Sequence, residues 1–132
     1  MLAIMLGIAH LAIPAGGADA QDQIVEHQPD PKHGEVLFRA CLKCHTATPG
    51  EVKIGPSLAG IVGRRTGSVA DFGYSSDMID FGRSGGVWDL KTLDRFLTRP
   101  RAMVGRTKMV FFGLRKPEDR ADLIAYLSSL RG

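Results

Sequence analysis

Hydrophobic residues recur at helical spacing in three parts of this 132-residue chain, at 34–45, 88–99 and 117–132. Each part places its apolar side chains on one face and most of its charged side chains elsewhere. The apolar faces are Phe38, Cys41, Leu42 and His45 in the first part, Leu90, Leu93, Phe96 and Leu97 in the second, and Leu123, Tyr126, Leu127 and Leu130 in the third. The pattern predicts a small all-α fold of three main helices.

The segments between these helices show neither helical nor strand periodicity. Residues 49–86 carry glycine at short intervals. Residues 100–116 follow the second helix, which ends at Pro100 because the residue before a proline disfavours the helical conformation. Pro117 and the two acidic residues after it suit the first turn of the last helix. We therefore predict loops with short helical turns over 49–86, the part of the chain that depends most on a ligand for order, and a second loop over 100–116. Both are expected to wrap around a ligand.

The N-terminal residues are typical of a secretory signal peptide. Residues 1–13 are almost entirely apolar but too few to span a bilayer, and the sequence Ala-Asp-Ala that ends at residue 20 is a small-x-small cleavage site. The polar stretch that follows predicts a flexible leader. The expected organisation is a signal peptide over 1–20, a leader over 21–33 and a single domain over 34–132.

The composition indicates a small domain that needs help to form a core. A chain of this size buries only roughly 60–70% of the surface that its unfolded form exposes. Sixteen glycines and seven prolines leave little regular structure, so a large apolar prosthetic group would supply the missing core. The net charge of +3 is mild, and the basic residues are spread along the chain without a recognition motif. This distribution argues against nucleic-acid binding.

Both cysteines of the chain lie in the segment CLKCH, where His45 directly follows Cys44. A redox dithiol needs only the cysteines and expects a β-α-β setting, which the pattern lacks. A structural zinc site needs four ligands, and only three are clustered here. Covalent haem attachment uses all three residues, because one helical turn points both thiols to one side and the imidazole can reach the iron. Haem attachment is favoured over these alternatives, and over a buried or disulfide-linked cysteine pair followed by a chance histidine.

Further motifs follow this segment in order. They are GPSLAGIVGRRTG from Gly55, the single Trp88, TKMVF from Thr107 and RADLIAYL from Arg120. Together with CLKCH they closely resemble the class I c-type cytochromes, in particular the mitochondrial-like branch and its bacterial periplasmic relatives. The resemblance covers residues 34–130 and implies the cytochrome c fold, with long loops wrapped around one covalently attached haem c.

The resemblance implies a site for that haem. Cys41 and Cys44 would attach it, and His45 would be one axial ligand of the iron. Spacing alone leaves the second ligand open among the methionines at 78, 103 and 109. The resemblance assigns Met109, and the other two methionines are expected to fill the core.

Other residues carry over by resemblance one at a time. Pro56 matches the proline whose carbonyl accepts a hydrogen bond from the ligand histidine and fixes its ring. Phe111 matches the aromatic residue that covers the haem face beside the methionine. The residues that would bond or neutralise the haem propionates are Arg64, Tyr74, Trp88 and Thr107. The residues that match the crossing of the first and last helices are Gly34, Phe38, Leu123 and Tyr126.

The chain departs from the family pattern on the methionine side. Gly105-Arg106 stands where Pro-Gly is usual, which predicts a looser methionine loop. Phe96 replaces a tyrosine that commonly bonds the ligand sulfur, and Met78 replaces a common asparagine. The stretch 75–87 is also a few residues longer than in mitochondrial members.

The implied function is single-electron transfer, without enzymatic activity, by a soluble monomeric carrier in the periplasm. The expected partners are a quinol-oxidising cytochrome complex as donor and an oxidase, a reductase or a photosynthetic reaction centre as acceptor, with only peripheral contact to these membrane complexes. Docking around the haem edge is expected to use basic residues, namely Lys43, Lys53, Arg99, Arg101, Arg106, Lys108 and Lys116. Two alternatives stay open: a cytochrome subunit of a periplasmic dehydrogenase, and a small haem peroxidase if Met109 does not stay bound.

Overall fold

The computed structural model describes residues 26–132, which contain five α-helices and one short 3₁₀ turn. The helices are α1 (Pro31–Phe38), α2 (Ser76–Arg83), α3 (Leu90–Thr98), α4 (Pro100–Met103) and α5 (Pro117–Ser129), and the 3₁₀ turn is Cys41–Lys43. Over this range, extended backbone pairs only in two isolated bridges, Val52 with Pro56 and Arg65 with Val87. The predicted all-α fold is confirmed.

The predicted signal peptide over 1–20 and the leader up to residue 25 lie outside the described residues. From residue 26 onward, no helix is both long enough and apolar enough to cross a membrane. The longest helix in this part of the chain is α5, and the first half of this helix carries four charged side chains.

Helix α1 begins earlier than the sequence pattern predicts. The Asp30 carboxylate accepts a hydrogen bond of 2.8 Å from the Lys32 N–H and caps the helix. Pro31 occupies the first position, where its missing N–H leaves no helical bond unmade. Residues 31–33 therefore belong to the helix, which corrects the predicted leader boundary at residue 33.

Helix α1 also ends at Phe38, well before the predicted end at His45. The chain continues as the 3₁₀ turn, and the His45 N–H donates to the Cys41 carbonyl at 2.8 Å. Leu42, which was expected on the buried face, is 42% exposed. The prediction of one helix over 34–45 is therefore wrong, because the burial of Cys41 and His45 comes from the wall of a cleft and not from a continuous helical face.

Helix α2 lies in the glycine-rich stretch for which loops are predicted. The Ser75 hydroxyl accepts a hydrogen bond of 3.3 Å from the Met78 N–H and caps the start of the helix. Only Met78 and Gly82 of this helix are buried, so the sequence shows no apolar stripe. A side chain at position 82 would overlap the Thr66 carbonyl. The loop prediction for this segment is wrong. Glycine in a sequence usually indicates a loop, but Gly82 lies within α2 and allows this helix to pack closely against Thr66.

Helices α3 and α5 match the predicted second and last helices with shorter bounds. The Asp89 carboxylate accepts a hydrogen bond of 2.7 Å from the Thr92 N–H and starts α3, which ends before Pro100 as predicted. Pro100 then begins the short helix α4, where a loop was expected, because proline suits a first helical position. Helix α5 ends at Ser129, before the predicted end at residue 132.

The centre of the core lies where α1 crosses α5. A side chain at Gly34 would overlap the Asp122 carbonyl, so glycine permits the close approach of the two helices. The Phe38 and Tyr126 rings pack with their centroids 5.1 Å apart, and Phe38 and Leu123 are almost completely buried. Burial of one such side chain stabilises the fold by about 1.5–3 kcal/mol. The predicted crossing of the first and last helices is confirmed.

A buried carboxylate joins the segment before α1 to α5. The Asp122 oxygens lie 2.6 Å from His27 Nε2, 2.7 Å from the Asp30 N–H nitrogen and 2.8 Å from His33 Nδ1. We call these four residues the Asp122 cluster. Burial raises the pKa of the Asp122 carboxyl, but the three donors outweigh burial and hold this pKa at about 2. The chain is therefore anchored to α5 from residue 27 onward.

Candidate functional site

One cleft brings together all the residues that the sequence assigns to the haem. Its volume is about 520 Å³, typical of a small-molecule site, and its wall is mostly apolar. The CLKCH segment, both long loops, α2, α3 and α5 contribute to this wall. The assigned residues in the wall are Cys41, Cys44, His45, Pro56, Arg64, Tyr74, Trp88, Thr107, Met109 and Phe111.

The His45 imidazole is fixed in orientation, and its burial favours the neutral form. Its Nδ1 bonds to the Pro56 carbonyl at 2.8 Å, and a carbonyl can only accept, so Nδ1 carries the proton and Nε2 keeps its lone pair. Burial lowers the pKa of His45, although the bond to Pro56 opposes this shift. A neutral imidazole with a free lone pair is the form that ligates a metal.

Cys41 and Cys44 both carry free, half-buried thiols in the cleft wall. Burial raises the pKa of the Cys41 thiol, which disfavours the reactive thiolate that a redox dithiol needs. Over residues 26–132, no group of three histidine, cysteine, aspartate or glutamate side chains could hold a metal ion. The zinc and dithiol alternatives therefore receive no support from the geometry.

Two of the three candidate methionines border the cleft. Met78 and Met109 lie in its wall, whereas Met103 packs against the core outside it. The Met109 N–H donates to Thr107 Oγ1 at 3.2 Å. The structure thus reduces the candidates for a second iron ligand from three to two.

Arg64 carries a buried donor without a partner. Its Nη2 donates to the Ser57 carbonyl at 2.7 Å, whereas its Nε is buried and bonds to nothing in the described part of the chain. Burial lowers the pKa of this guanidinium. An unpaired buried donor on a cation is costly, and an anionic group in the cleft would satisfy it. Arg64 therefore fits the expected contact with a haem propionate.

The other propionate candidates also present polar atoms or packing surface to the cleft. The Tyr74 hydroxyl accepts a hydrogen bond of 3.3 Å from the Val69 N–H and still has its own proton to donate, and burial raises its pKa. The Thr107 hydroxyl likewise accepts from a backbone N–H and keeps its proton. Trp88 is buried and its ring packs edge-on against Phe96 at a centroid distance of 4.9 Å.

The methionine segment, which we define as residues 104–113, is held to the chain around the start of α2. The Asp77 carboxylate accepts hydrogen bonds from the Arg106 backbone N–H at 2.9 Å and from Arg106 Nε at 2.8 Å, and its Oδ1 lies 2.7 Å from Nη2. The Lys108 ammonium donates to the Gly73 carbonyl. The absence of Pro-Gly at 105–106 predicts a looser loop. In the structure, the side chains of Arg106 and Lys108 bond this loop to residues 73–77.

Gly55 and Asp77 contribute to the site but are not identified by sequence reasoning. A Cβ at Gly55 would overlap the His45 ring, and the Gly55 N–H donates to the Cys44 carbonyl at 2.8 Å. The available signal was a glycine close after the histidine, which often marks a close approach of backbone. Asp77 shows no local signal, because its partner Arg106 lies 29 positions away.

Comparison with known proteins identifies the family. The family model for cytochrome c matches residues 31–131. This chain belongs to the cytochrome c family. The cytochrome c2 of Rhodomicrobium vannielii is 46% identical over 107 residues, which cover 78% of this chain and 81% of the relative. The cytochrome c of Cochliobolus lunatus is 46% identical over 103 residues, which cover 76% and 92%. The solved structure of ferricytochrome c2 from Rhodopseudomonas palustris gives a TM-score of 0.70 at 34% identity and covers 77% of this chain and 99% of that one.

As a member of this family, the cytochrome is an electron carrier and not an enzyme, and it binds one covalent haem c. The predicted family, cofactor and electron-transfer class are confirmed. The cleft fits that group, because it combines two free thiols, a neutral imidazole, an apolar wall and the unpaired donor of Arg64.

Apolar side chains border the mouth of the cleft in this cytochrome, and the basic residues expected to dock partners are exposed. Ile54 is 78% exposed and Val110 is 83% exposed, and both border the cleft. Phe112 is 96% exposed. All seven basic residues expected around the haem edge are exposed. The three that already bond within the protein are Lys53, to the Leu42 carbonyl, Arg106, to Asp77, and Lys108, to the Gly73 carbonyl.

Proposed function

We propose that this cytochrome is a periplasmic single-electron carrier, with haem attached through Cys41 and Cys44 and iron ligated by His45 and Met109. The observation that carries the proposal is the meeting of these four side chains in one apolar cleft. When bound, the haem supplies one-electron chemistry, because its iron changes between the ferric and ferrous states. The signal-like sequence over 1–20 supports export to the periplasm.

The protein contributes the orientation of the ligands and the exclusion of water. The Pro56 carbonyl holds the His45 ring in one orientation and increases the basicity of its free nitrogen. The Met109 thioether is a soft ligand that favours the ferrous state relative to a second nitrogen ligand. The apolar wall also disfavours the extra positive charge of the ferric state.

Met109 is proposed over Met78, the other methionine that borders the cleft. Met78 is 8% exposed and is one of only two buried residues of α2, so its removal would leave a cavity in the core. Met109 is only half-buried and lies in a segment whose neighbours Val110 and Phe112 are exposed. Core packing therefore accounts for Met78, whereas it leaves the thioether of Met109 available as a ligand.

Electrons are proposed to enter and leave at the mouth of the cleft, where the lining residues Ile54 and Val110 are exposed. These two side chains offer a small apolar contact, and exposed basic residues, of which Lys108 borders the cleft, would steer acidic partners toward it. Such contacts are weak and short-lived, as a shuttle between two partners requires. We propose a quinol-oxidising cytochrome complex as donor and an oxidase, a reductase or a photosynthetic reaction centre as acceptor, with the carrier itself a monomer.

The test is the absorption spectrum of protein released from the periplasm of an expressing bacterium, recorded oxidised and reduced and extended into the near infrared. We expect sharp low-spin bands and a weak sulfur-to-iron charge-transfer band in the ferric protein. Met109→Ala should lose the charge-transfer band. Met78→Leu, which conserves side-chain volume, is the matched control and should keep it.

Three outcomes would contradict the proposal. A high-spin wild-type spectrum that changes on addition of peroxide or carbon monoxide would show an open iron position, as in a peroxidase. Loss of the charge-transfer band in Met78→Leu and not in Met109→Ala would assign the ligand to Met78. Recovery of the haem protein from the cytoplasm alone would contradict the periplasmic location.

A further inference from the structure

We infer that Asp77 and Arg106 are positioning residues for the iron ligand: together they form a latch that holds the methionine segment over the cleft. The inference rests on the proposed function, because it takes Met109 as the axial ligand. The latch connects the first turn of α2 to the segment that carries Met109, across 29 positions of the chain.

The methionine segment makes few other hydrogen bonds near Met109 in the described chain. At its ends, the Val104 N–H donates to the Pro100 carbonyl at 2.9 Å and the Leu114 N–H donates to the Leu97 carbonyl at 2.8 Å. Between these points, the Met109 N–H bonds only within the segment, to Thr107, in the part of the chain that the structure describes. The remaining bonds to the rest of the protein are those of Arg106 and Lys108 to residues 73–77. Met109 and Phe111 also pack against the core, and the bonds of Arg106 and Lys108 are what tie the exposed side of the segment to another part of the described chain.

The latch differs from an ordinary surface ion pair in its geometry. A typical exposed pair contributes little, because solvent screens the charges and two long side chains must be ordered. Here a single carboxylate receives a backbone N–H and two guanidinium nitrogens of the same residue, at 2.9, 2.8 and 2.7 Å. The fork of the guanidinium and the backbone donor fix the direction of approach as well as the distance. The side chain of Asp77 is only 26% exposed, whereas that of Arg106 is 76% exposed.

The latch also explains how two departures from the family pattern fit together. Glycine at 105 allows the backbone to turn freely where the family usually has a stiffer Pro-Gly pair. The Asp77 carboxylate lies 3.3 Å from the position of a Cβ at Gly105, so it borders this residue as well as Arg106. Asp77 itself belongs to α2, in the stretch that is longer than in mitochondrial members. The longer stretch thus supplies the contact that restricts the glycine-containing loop.

The experiment uses the holo-protein and the binding of added imidazole to the ferric form, which displaces the methionine and removes the charge-transfer band. The variants are Asp77→Ala, Arg106→Ala and the double variant. Asp80→Ala is the matched control, because it removes an exposed carboxylate of the same helix whose one ion pair within residues 26–132 is with Arg83, at 3.6 Å. Imidazole should bind about three- to tenfold more tightly to each single latch variant than to the wild type. The double variant should match the stronger single variant, and Asp80→Ala should match the wild type.

Hydrogen exchange of the Arg106 amide gives a readout that does not depend on the iron. This amide donates to Asp77, so it should exchange faster in Asp77→Ala while the amides of α5 keep wild-type rates. Arg106→Lys keeps the charge without the fork and should recover only part of the wild-type imidazole resistance. If Asp77→Ala does not fold, Asp77→Asn permits the same comparison with a nearly isosteric side chain.

Unchanged imidazole binding in both single variants, or an equal change in Asp80→Ala, would overturn the latch. Additive effects in the double variant would also overturn it, because independent residues do not form a pair. A wild-type protein without the charge-transfer band would instead overturn the proposed function. The two failures are therefore distinguishable in one set of spectra.

Discussion

Gly55 and Pro56 are consecutive residues that fix the orientation of His45 in different ways. Pro56 does so by accepting the hydrogen bond from Nδ1 at 2.8 Å. Gly55 does so by having no side chain, because its backbone lies against the edge of the ring. The Gly55 N–H is also bonded to the Cys44 carbonyl at 2.8 Å, so this turn cannot easily move away from the histidine. At the scale of single residues, the orientation of the His45 ring depends on Gly55 as well as on the hydrogen bond that His45 itself makes.

We expect Gly55→Ala to lower the free energy of unfolding of the holo-protein by about 1–3 kcal/mol, since the added methyl group overlaps the His45 ring. Gly73→Ala is the matched control, because Gly73 also borders the cleft but its Cβ would meet only Lys108 Nζ, at 3.7 Å. The control should change the free energy by less than about 0.5 kcal/mol. Urea unfolding followed by circular dichroism measures both variants, and equal destabilisation would contradict the role of Gly55.

At the scale of elements, the Asp122 cluster joins α1 and the residues before it to α5. His27, Asp30 and His33 all donate to one carboxylate that is almost completely buried. The hydrogen bond to Asp122 is the main cause that raises the pKa of His33. The packing of α1 on α5 thus combines an apolar crossing with a polar contact that depends on pH.

The pH dependence of this contact follows from the raised pKa of His33 and the lowered pKa of Asp122. A histidine with a raised pKa stabilises the fold fully below its unfolded pKa of 6.5, and this stabilisation is lost as the pH rises through the folded pKa. A carboxyl whose pKa falls from 3.8 to about 2 stabilises the fold above 3.8, and this stabilisation is lost as the pH falls towards 2. The cluster should therefore stabilise the protein most at mildly acidic pH.

We expect His33→Gln to reduce the urea midpoint of unfolding more at about pH 5 than at about pH 8, because only the protonated imidazole forms the ion pair with Asp122. Lys32→Gln removes a neighbouring exposed cation of α1 and is the control for a general change in charge. A deficit for His33→Gln that is equal at both pH values would show that the contact is a neutral hydrogen bond.

The elements differ in how far the sequence predicts them, for physical reasons. Helices α3 and α5 are predictable because each buries leucines at helical spacing, namely Leu93 and Leu97 in α3 and Leu123 and Leu127 in α5. Helix α2 is not, because its packing depends on Gly82 against Thr66 and not on an apolar stripe. In the site, the CLKCH segment is predictable because its three functional residues are close together in the sequence. The contact between Asp77 and Arg106 is not, because these residues lie 29 positions apart and meet only in the folded protein.

At the scale of the whole molecule, the haem cleft takes the place that a continuous hydrophobic core occupies in other small proteins. Its apolar wall is formed by residues from almost every segment, including both long loops. The buried side chains that face it, such as Met78, Trp88 and Phe96, have the cleft on one side. Without a group in that space, these side chains would meet water or collapse onto one another.

We expect the haem-free form of the double variant Cys41→Ala, Cys44→Ala to lose more than about half of the helical circular-dichroism signal of the holo-protein, since so short a chain buries too little surface without its cofactor. Met109→Ala is the control, because it keeps the covalent haem while losing the ligand, and it should keep most of the signal. Full helix content in the haem-free variant would show that the chain supplies a sufficient core by itself.

The crossing of α1 with α5 has a further consequence for the order of events during the proposed export. Asp30 and Asp122 are bonded although they lie 92 positions apart, so the contact closes nearly the whole described chain into a loop. The entropy of closing that loop must be lost before the contacts between its ends stabilise anything. A chain on its way through the proposed export has no partner for α1 until α5 has reached the same compartment. The two cysteines therefore stay accessible for haem attachment until α5 has followed them.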